Sequence, residues 1–115
     1  MIELSAFHIP LDAARKTVRD SAERRFATLA EQASLTVELY KPIRQDIQQP
    51  HDRDECYVIL DGTGKFEMGD DQIIFAPGDF LFVPAFMPHR FVDFGESMTC
   101  WVIFYGPIGG EQITQ

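Results

Sequence analysis

The chain has 115 residues and a mass of 13.1 kDa, which suits one domain and leaves no room for a second lobe. Apolar residues make up 45% and charged residues 24%, the composition of a packed globular core, which excludes a disordered segment. The net charge of −8 is concentrated late in the chain: residues 1–44 carry seven basic and six acidic side chains, residues 45–115 three and twelve, so phosphate backbones and anionic headgroups are repelled and neither nucleic acid nor membrane is expected as a partner.

The first predicted element is a short helix from about Pro10 to Arg19. There Leu11, Ala14 and Val18 recur at spacings of three and four among good helix formers. Strand and turn follow. RFATLAE (25–31) and SLTVELY (34–40) are rich in β-formers, and in the second Leu35, Val37 and Leu39 alternate with Thr36, Glu38 and Tyr40. Pro42 stops that strand. CYVIL (56–60) runs into the turn Asp61-Gly62-Thr63-Gly64, and a strand to Met68 meets Gly69-Asp70. IIFA, FLFVP, HRFVDF and MTCWVIFY complete a set of about eight short strands, with Pro77-Gly78-Asp79 and Gly95-Glu96 as further turns. Such spacing predicts an all-β sandwich or closed barrel. Ten phenylalanines, eight of them beyond residue 60, suit an interior that is either filled or made into an apolar pocket.

No apolar run approaches the ~20 residues of a membrane helix. The N-terminus has neither a basic start nor an apolar stretch, so a secretory signal is not expected. Together these two readings point to the cytoplasm, and Cys56 and Cys100, which lack the close spacing of a redox or zinc motif, read as buried free thiols.

Three histidines are present: His8, His51 and His89. His8 reads as a surface residue. His51 and Glu55 flank Asp52-Arg53-Asp54. The β-rich CYVIL argues against a helix there, and on one straight strand four residues span about 13 Å, too far for two ligands of one ion. If both bind metal the chain must bend at 52–54, with His51 ending one strand and Glu55 beginning the next. Asp52 and Asp54 read as loop charges. His89 follows Pro84 and Pro88, which hold a rigid corner before its strand. Two imidazoles and one carboxylate, with no cysteine needed, match the facial triad of open metal sites. Tyr57 shares the face of Glu55 and is expected to line a pocket; Arg90 points away from His89.

These residues carry a resemblance. The segment Gln49-x-His51-x3-Glu55-x6-Gly62, with Gly78-x5-Pro84 and His89 five residues beyond, resembles the two motifs of the cupin family, Gly-x5-His-x-His-x3–4-Glu-x6-Gly and Gly-x5-Pro-x-Gly-x2-His-x3-Asn. It covers about residues 35–105. Ile43, Phe86 and Asp93 depart from the pattern, and Gln49 stands where the family's first metal histidine falls. Gln48 competes with it if Pro50 shifts the alternation by one. The resemblance implies a cupin-type double-stranded β-helix (jelly-roll) barrel with a short N-terminal helix, one domain over 1–115 with its barrel at about 24–106. It also implies a divalent metal (iron, manganese, nickel or zinc) at His51, Glu55 and His89, with Gln49 as a fourth ligand.

The function expected on this footing is a metal-dependent enzyme acting on a small organic molecule, dioxygenase-like chemistry first. Isomerase or lyase chemistry, or non-catalytic binding of a small ligand, are the alternatives. If the row Thr99, Trp101, Ile103, Tyr105 faces outward, its aromatics form a surface suited to a homodimer.

Overall fold

The computed structural model describes residues 4–113. Helix α1 (Leu11–Asp20) is followed by eight strands: β1 (Phe26–Gln32), β2 (Leu35–Tyr40), β3 (Asp54–Asp61), β4 (Gly64–Met68), β5 (Asp71–Phe75), β6 (Phe80–Val83), β7 (His89–Val92) and β8 (Thr99–Tyr105). They form two antiparallel sheets, one ordered β1-β2-β8-β3-β6 and the other β5-β4-β7. The expected all-β barrel with one short helix is what the chain builds.

The strands alternate, and the two faces of the larger sheet have separate partners. Inward, Tyr57 and Ile59 of β3 and Cys100, Val102 and Phe104 of β8 meet Phe66, Phe75 and Phe91 of the smaller sheet in one core. Ring centroids 4.6–5.7 Å apart, mostly edge-to-face, pack Tyr57, Phe66, Phe75 and Phe91 and fill that end of the barrel. Outward, Leu39 and Ala27 are covered by Ala14 and Val18 of α1, with Leu11 and Trp101 at the margin. Two buried faces on one sheet explain why β8 reads as a continuous apolar run.

Gly62 ends β3 with φ +92, and a Cβ there would lie 2.7 Å from Met98 Cβ. Only glycine meets both conditions without strain. One expectation fails in the lead-in to β3. His51 does not end a strand: residues 46–51 are irregular, a bend at Asp52–Arg53 follows, and Glu55 is the second residue of β3. Pro42 and Pro50 bracket this segment and remove two ladder donors, which agrees with its pairing through isolated bridges, as at Ile43–Ser97, and not as a strand.

Candidate metal centre

Each of the three residues is placed by a different device. Glu55 lies on the inner face of β3, between Val83 of β6 and Phe104 of β8, and is 1% exposed. His89 opens β7 opposite Met68 and is 7% exposed. His51 comes from the irregular segment. Its backbone carbonyl accepts the Phe86 N–H at 2.7 Å, tying it to the Pro84–Pro88 corner that carries His89. Its ring stands edge-on to Phe104 at 4.7 Å, and Arg53 covers the same Phe104 ring at 5.5 Å. Arg53 is itself held by the Ser34 carbonyl (2.6 Å) and Thr36 Oγ1 (3.3 Å).

From these three places His51, Glu55 and His89 bring one ligand atom each to within 4.8 Å of one another. His89 Nδ1 lies 2.8 Å from the Met87 carbonyl, which can only accept, so Nδ1 carries the proton and Nε2 faces the cluster. Glu55 Oε1 is 2.7 Å from that Nε2. The contact is off the axis of a hydrogen bond, and both Glu55 oxygens are buried without a hydrogen-bond donor. A doubly orphaned carboxylate between two imidazoles fits a divalent cation, which would satisfy the oxygens directly. Burial alone would push the His89 ring down, but the Glu55 carboxylate and the Met87 carbonyl outweigh it and hold the ring above its ordinary 6.5.

His51 and Glu55 of the cluster line a cavity of about 410 Å³, whereas His89 lines a separate one with Gln48, Gln49 and Pro50. Phe26, Ile47, Val102 and Phe104 provide the apolar wall of the first, and Glu38 and Tyr40 reach it from the inner face of β2. Burial raises Glu38, and the carboxylates of Glu55 and Glu31 add to this against the Thr28 hydroxyl and Arg53, which lower it.

The other sequence expectations fall as follows. Gln49 is exposed, whereas Gln48 is half-buried and lines the cavity, its Oε1 accepting the Tyr57 hydroxyl at 2.8 Å. Tyr57, expected to line a pocket, is fully buried and does not line this cavity; its hydroxyl lies 3.0 Å from His89 Nε2. Arg90 and His8 are exposed. Asp52 is exposed, but Asp54 is buried and accepts the backbone N–H groups of Ala85 (2.9 Å) and Glu111 (2.8 Å), so it is a clamp on two loops and not a loop charge. Glu38, Arg53 and Phe104 went unnoticed as site residues. The polar half of the β2 alternation, Thr36-Glu38-Tyr40, was the available signal for the first.

A two-sheet antiparallel barrel in which two imidazoles and a carboxylate converge beside a cavity defines a β-barrel protein with a candidate metal centre. Residues 36–105 match the Cupin domain family, and the chain belongs to it. It is 27% identical over 106 residues to an uncharacterised protein of Streptomyces coelicolor, covering 90% of this chain and 98% of that one. Among solved structures it is similar to a protein described as a candidate mannose-6-phosphate isomerase from Ralstonia eutropha (TM-score 0.62, 26% identity, 71% of this chain and 83% of that one). The DMSP lyase of Ruegeria pomeroyi gives a TM-score of 0.60 at 26% identity over 80% of this chain and 53% of that one.

Proposed function

We propose that this cupin is a metal-dependent enzyme acting on a small organic molecule, with iron, manganese, nickel or zinc held by His51, Glu55 and His89. The observation that carries the reading is the buried Glu55 carboxylate, whose oxygens find no donor although two imidazoles adjoin them, with Glu55 and His51 lining a cavity. Once bound, such an ion supplies Lewis-acid polarisation of a substrate oxygen and, where it is iron, a site for oxygen chemistry. The rest is work for the chain's own side chains. Met87 fixes the His89 tautomer, Phe104 orients His51, and the apolar walls exclude water from the cavity. Gln49, exposed, stays outside the proposed ligand set.

Dioxygenase-like chemistry is the first reaction class, because three protein ligands leave room for both substrate and oxygen. Isomerase or lyase chemistry is the second, favoured by Glu38. This carboxyl in the cavity wall is raised by burial, and it can hold or move a proton at a substrate atom. The isomerase and lyase descriptions of the two similar structures agree with that second class.

Elemental analysis of protein purified without an affinity tag tests the foundation. One equivalent of transition metal is expected, lost in His51→Ala and in His89→Ala and retained in Asp52→Ala. Less than about a tenth of an equivalent, unrestored by dialysis against the four metals, overturns it. Oxygen uptake by the iron-loaded protein with phenolic, thiol or diketone substrates then marks a dioxygenase, and turnover under nitrogen an isomerase or lyase. A ligand recovered unchanged after incubation with metal and air makes this a binding protein. The proposed setting is the cytoplasm, as a homodimer: Cys56 and Cys100 are unpaired and lie on opposite faces of the large sheet, which agrees with a reducing compartment.

A further inference from the structure

Beside the cluster lies a buried acid that none of the foregoing uses. Asp46 is 2% exposed, and its two oxygens are fully engaged. Oδ1 accepts the Tyr40 hydroxyl (2.6 Å) and the Gln48 backbone N–H (3.1 Å); Oδ2 accepts the Phe91 backbone N–H (2.9 Å) and the Gln48 side-chain Nε2 (2.5 Å). These donors come from β2, β7 and the irregular segment, so the carboxylate is locked in orientation from three sides. A carboxylate can only accept. The end of the Gln48 amide that faces it is therefore the NH₂, and the oxygen faces the opposite way, onto the Tyr57 hydroxyl, which in turn lies against His89 Nε2.

We propose that Asp46 is a positioning residue: through its bond to the Gln48 side chain it turns the amide oxygen, rather than the amide nitrogen, toward Tyr57 and the His51–Glu55–His89 cluster. Gln48 is thereby the residue that offers an oxygen where the family's pattern has its first histidine. Without Asp46 the amide flips freely between a face that attracts a cation and one that repels it. The consequence for a metal rests on the function proposed above; the orientation itself does not.

Two measurements separate these. In the metal-free protein, the Gln48 side-chain NH₂ resonances exchange slowly with solvent, and in Asp46→Ala, which leaves no acceptor, they exchange at the rate of a free amide; rapid exchange in the unaltered protein overturns the proposal. With Co²⁺ alone as the probe, Asp46→Asn and Gln48→Ala each weaken binding about tenfold, as changes behind a metal ligand do. The double variant is then no weaker than Gln48→Ala, because Asp46 acts through Gln48. A further tenfold loss in the double variant, or undiminished affinity in Asp46→Asn, overturns the proposal. Asp46→Asn combined with Gln48→Glu restores binding, since the asparagine NH₂ now donates to one glutamate oxygen and leaves the other toward Tyr57. A merely structural role for Asp46 gives no such rescue. If the unaltered protein takes up no Co²⁺, the metal reading fails and the exchange experiment alone decides the orientation. Should the Asp46 variants not fold, Tyr57→Phe removes the donor at the far end of the amide and leaves Asp46 in place, so the exchange is expected to stay slow; exchange at the rate of a free amide there shows that Tyr57 and not Asp46 holds the amide, and overturns the proposal.

Discussion

A buried carboxylate and imidazole 2.7 Å apart set the pH behaviour of the centre. His89 is held above its ordinary 6.5, so below that raised value a cation must displace a proton from Nε2. Zn²⁺ affinity is therefore expected to fall as pH drops through the raised value. Calorimetry in two buffers of different ionisation heat should show a proton released near pH 6.5 and none well above it. In the metal-free protein the same shift has the opposite sense. The His89–Glu55 contact contributes its full stability below about pH 6.5 and loses it as pH rises through the folded-state value. Thermal unfolding of chelator-treated protein should show this decline, and His89→Gln should remove it. Glu38 is also raised, by burial first, so its charged form opposes folding at neutral pH. Glu38→Gln is expected to raise the melting temperature by about 1–3 °C at pH 8 and to leave it unchanged near pH 4.

At the level of elements, turns and corners decide whether the three residues meet. Gly62 joins β3 to β4, and Gly78 lies in the turn before β6; both have φ +92. Only Gly62 has a neighbour in the way, Met98 Cβ at 2.7 Å, whereas a Cβ on Gly78 meets nothing within 4 Å. Alanine at either position carries a left-handed penalty of roughly 1 kcal/mol. At Gly62 the clash adds to it, by about 1–3 kcal/mol, as overpacking usually does. Denaturant unfolding of the two variants should separate these contributions. The corner before β7 holds a residue of the same kind: Phe86, where the family pattern has glycine, adopts φ +67 and donates to the His51 carbonyl. The hydrogen bond that ties the two histidine-bearing segments together thus comes from a residue in a conformation unfavourable for phenylalanine.

Over the whole molecule, the larger sheet has an outer face that α1 covers only in part. Phe80 and Phe82 of β6 are 63% and 44% exposed, and they flank Val58 and Cys56 of β3, which adjoin Trp101 and Ile103 of β8. These six side chains are uncharged in a chain of net charge −8. Theirs is the surface on which the proposed homodimer would form, by a two-fold that sets each face on its copy. Sedimentation should give a dimer that Phe80→Asp with Phe82→Asp reduces to monomer, with bound metal unchanged. A monomer at all concentrations refutes it. Among the described residues no helix is long and apolar enough to cross a membrane.

The amino-acid sequence by itself determined the strands, a helix placed at about Pro10 to Arg19, and the family, because alternation, turn residues and motif spacing are local and survive without knowledge of partners. It also singled out His51, Glu55 and His89, since few residue types make a metal site and these fall at telling intervals. It could not decide which half of an alternating strand faces inward. In β2, Leu35, Val37 and Leu39 suggest the core face, yet Leu39 packs under α1 while Thr36, Glu38 and Tyr40 line the cavity. Nor could it choose between Gln48 and Gln49, or give Asp46 and Asp54 their buried places. Those depend on which backbone N–H groups, from segments 31 to 57 residues away, come to need an acceptor. Only the closed barrel, by bringing distant donors into a space without water, makes that demand.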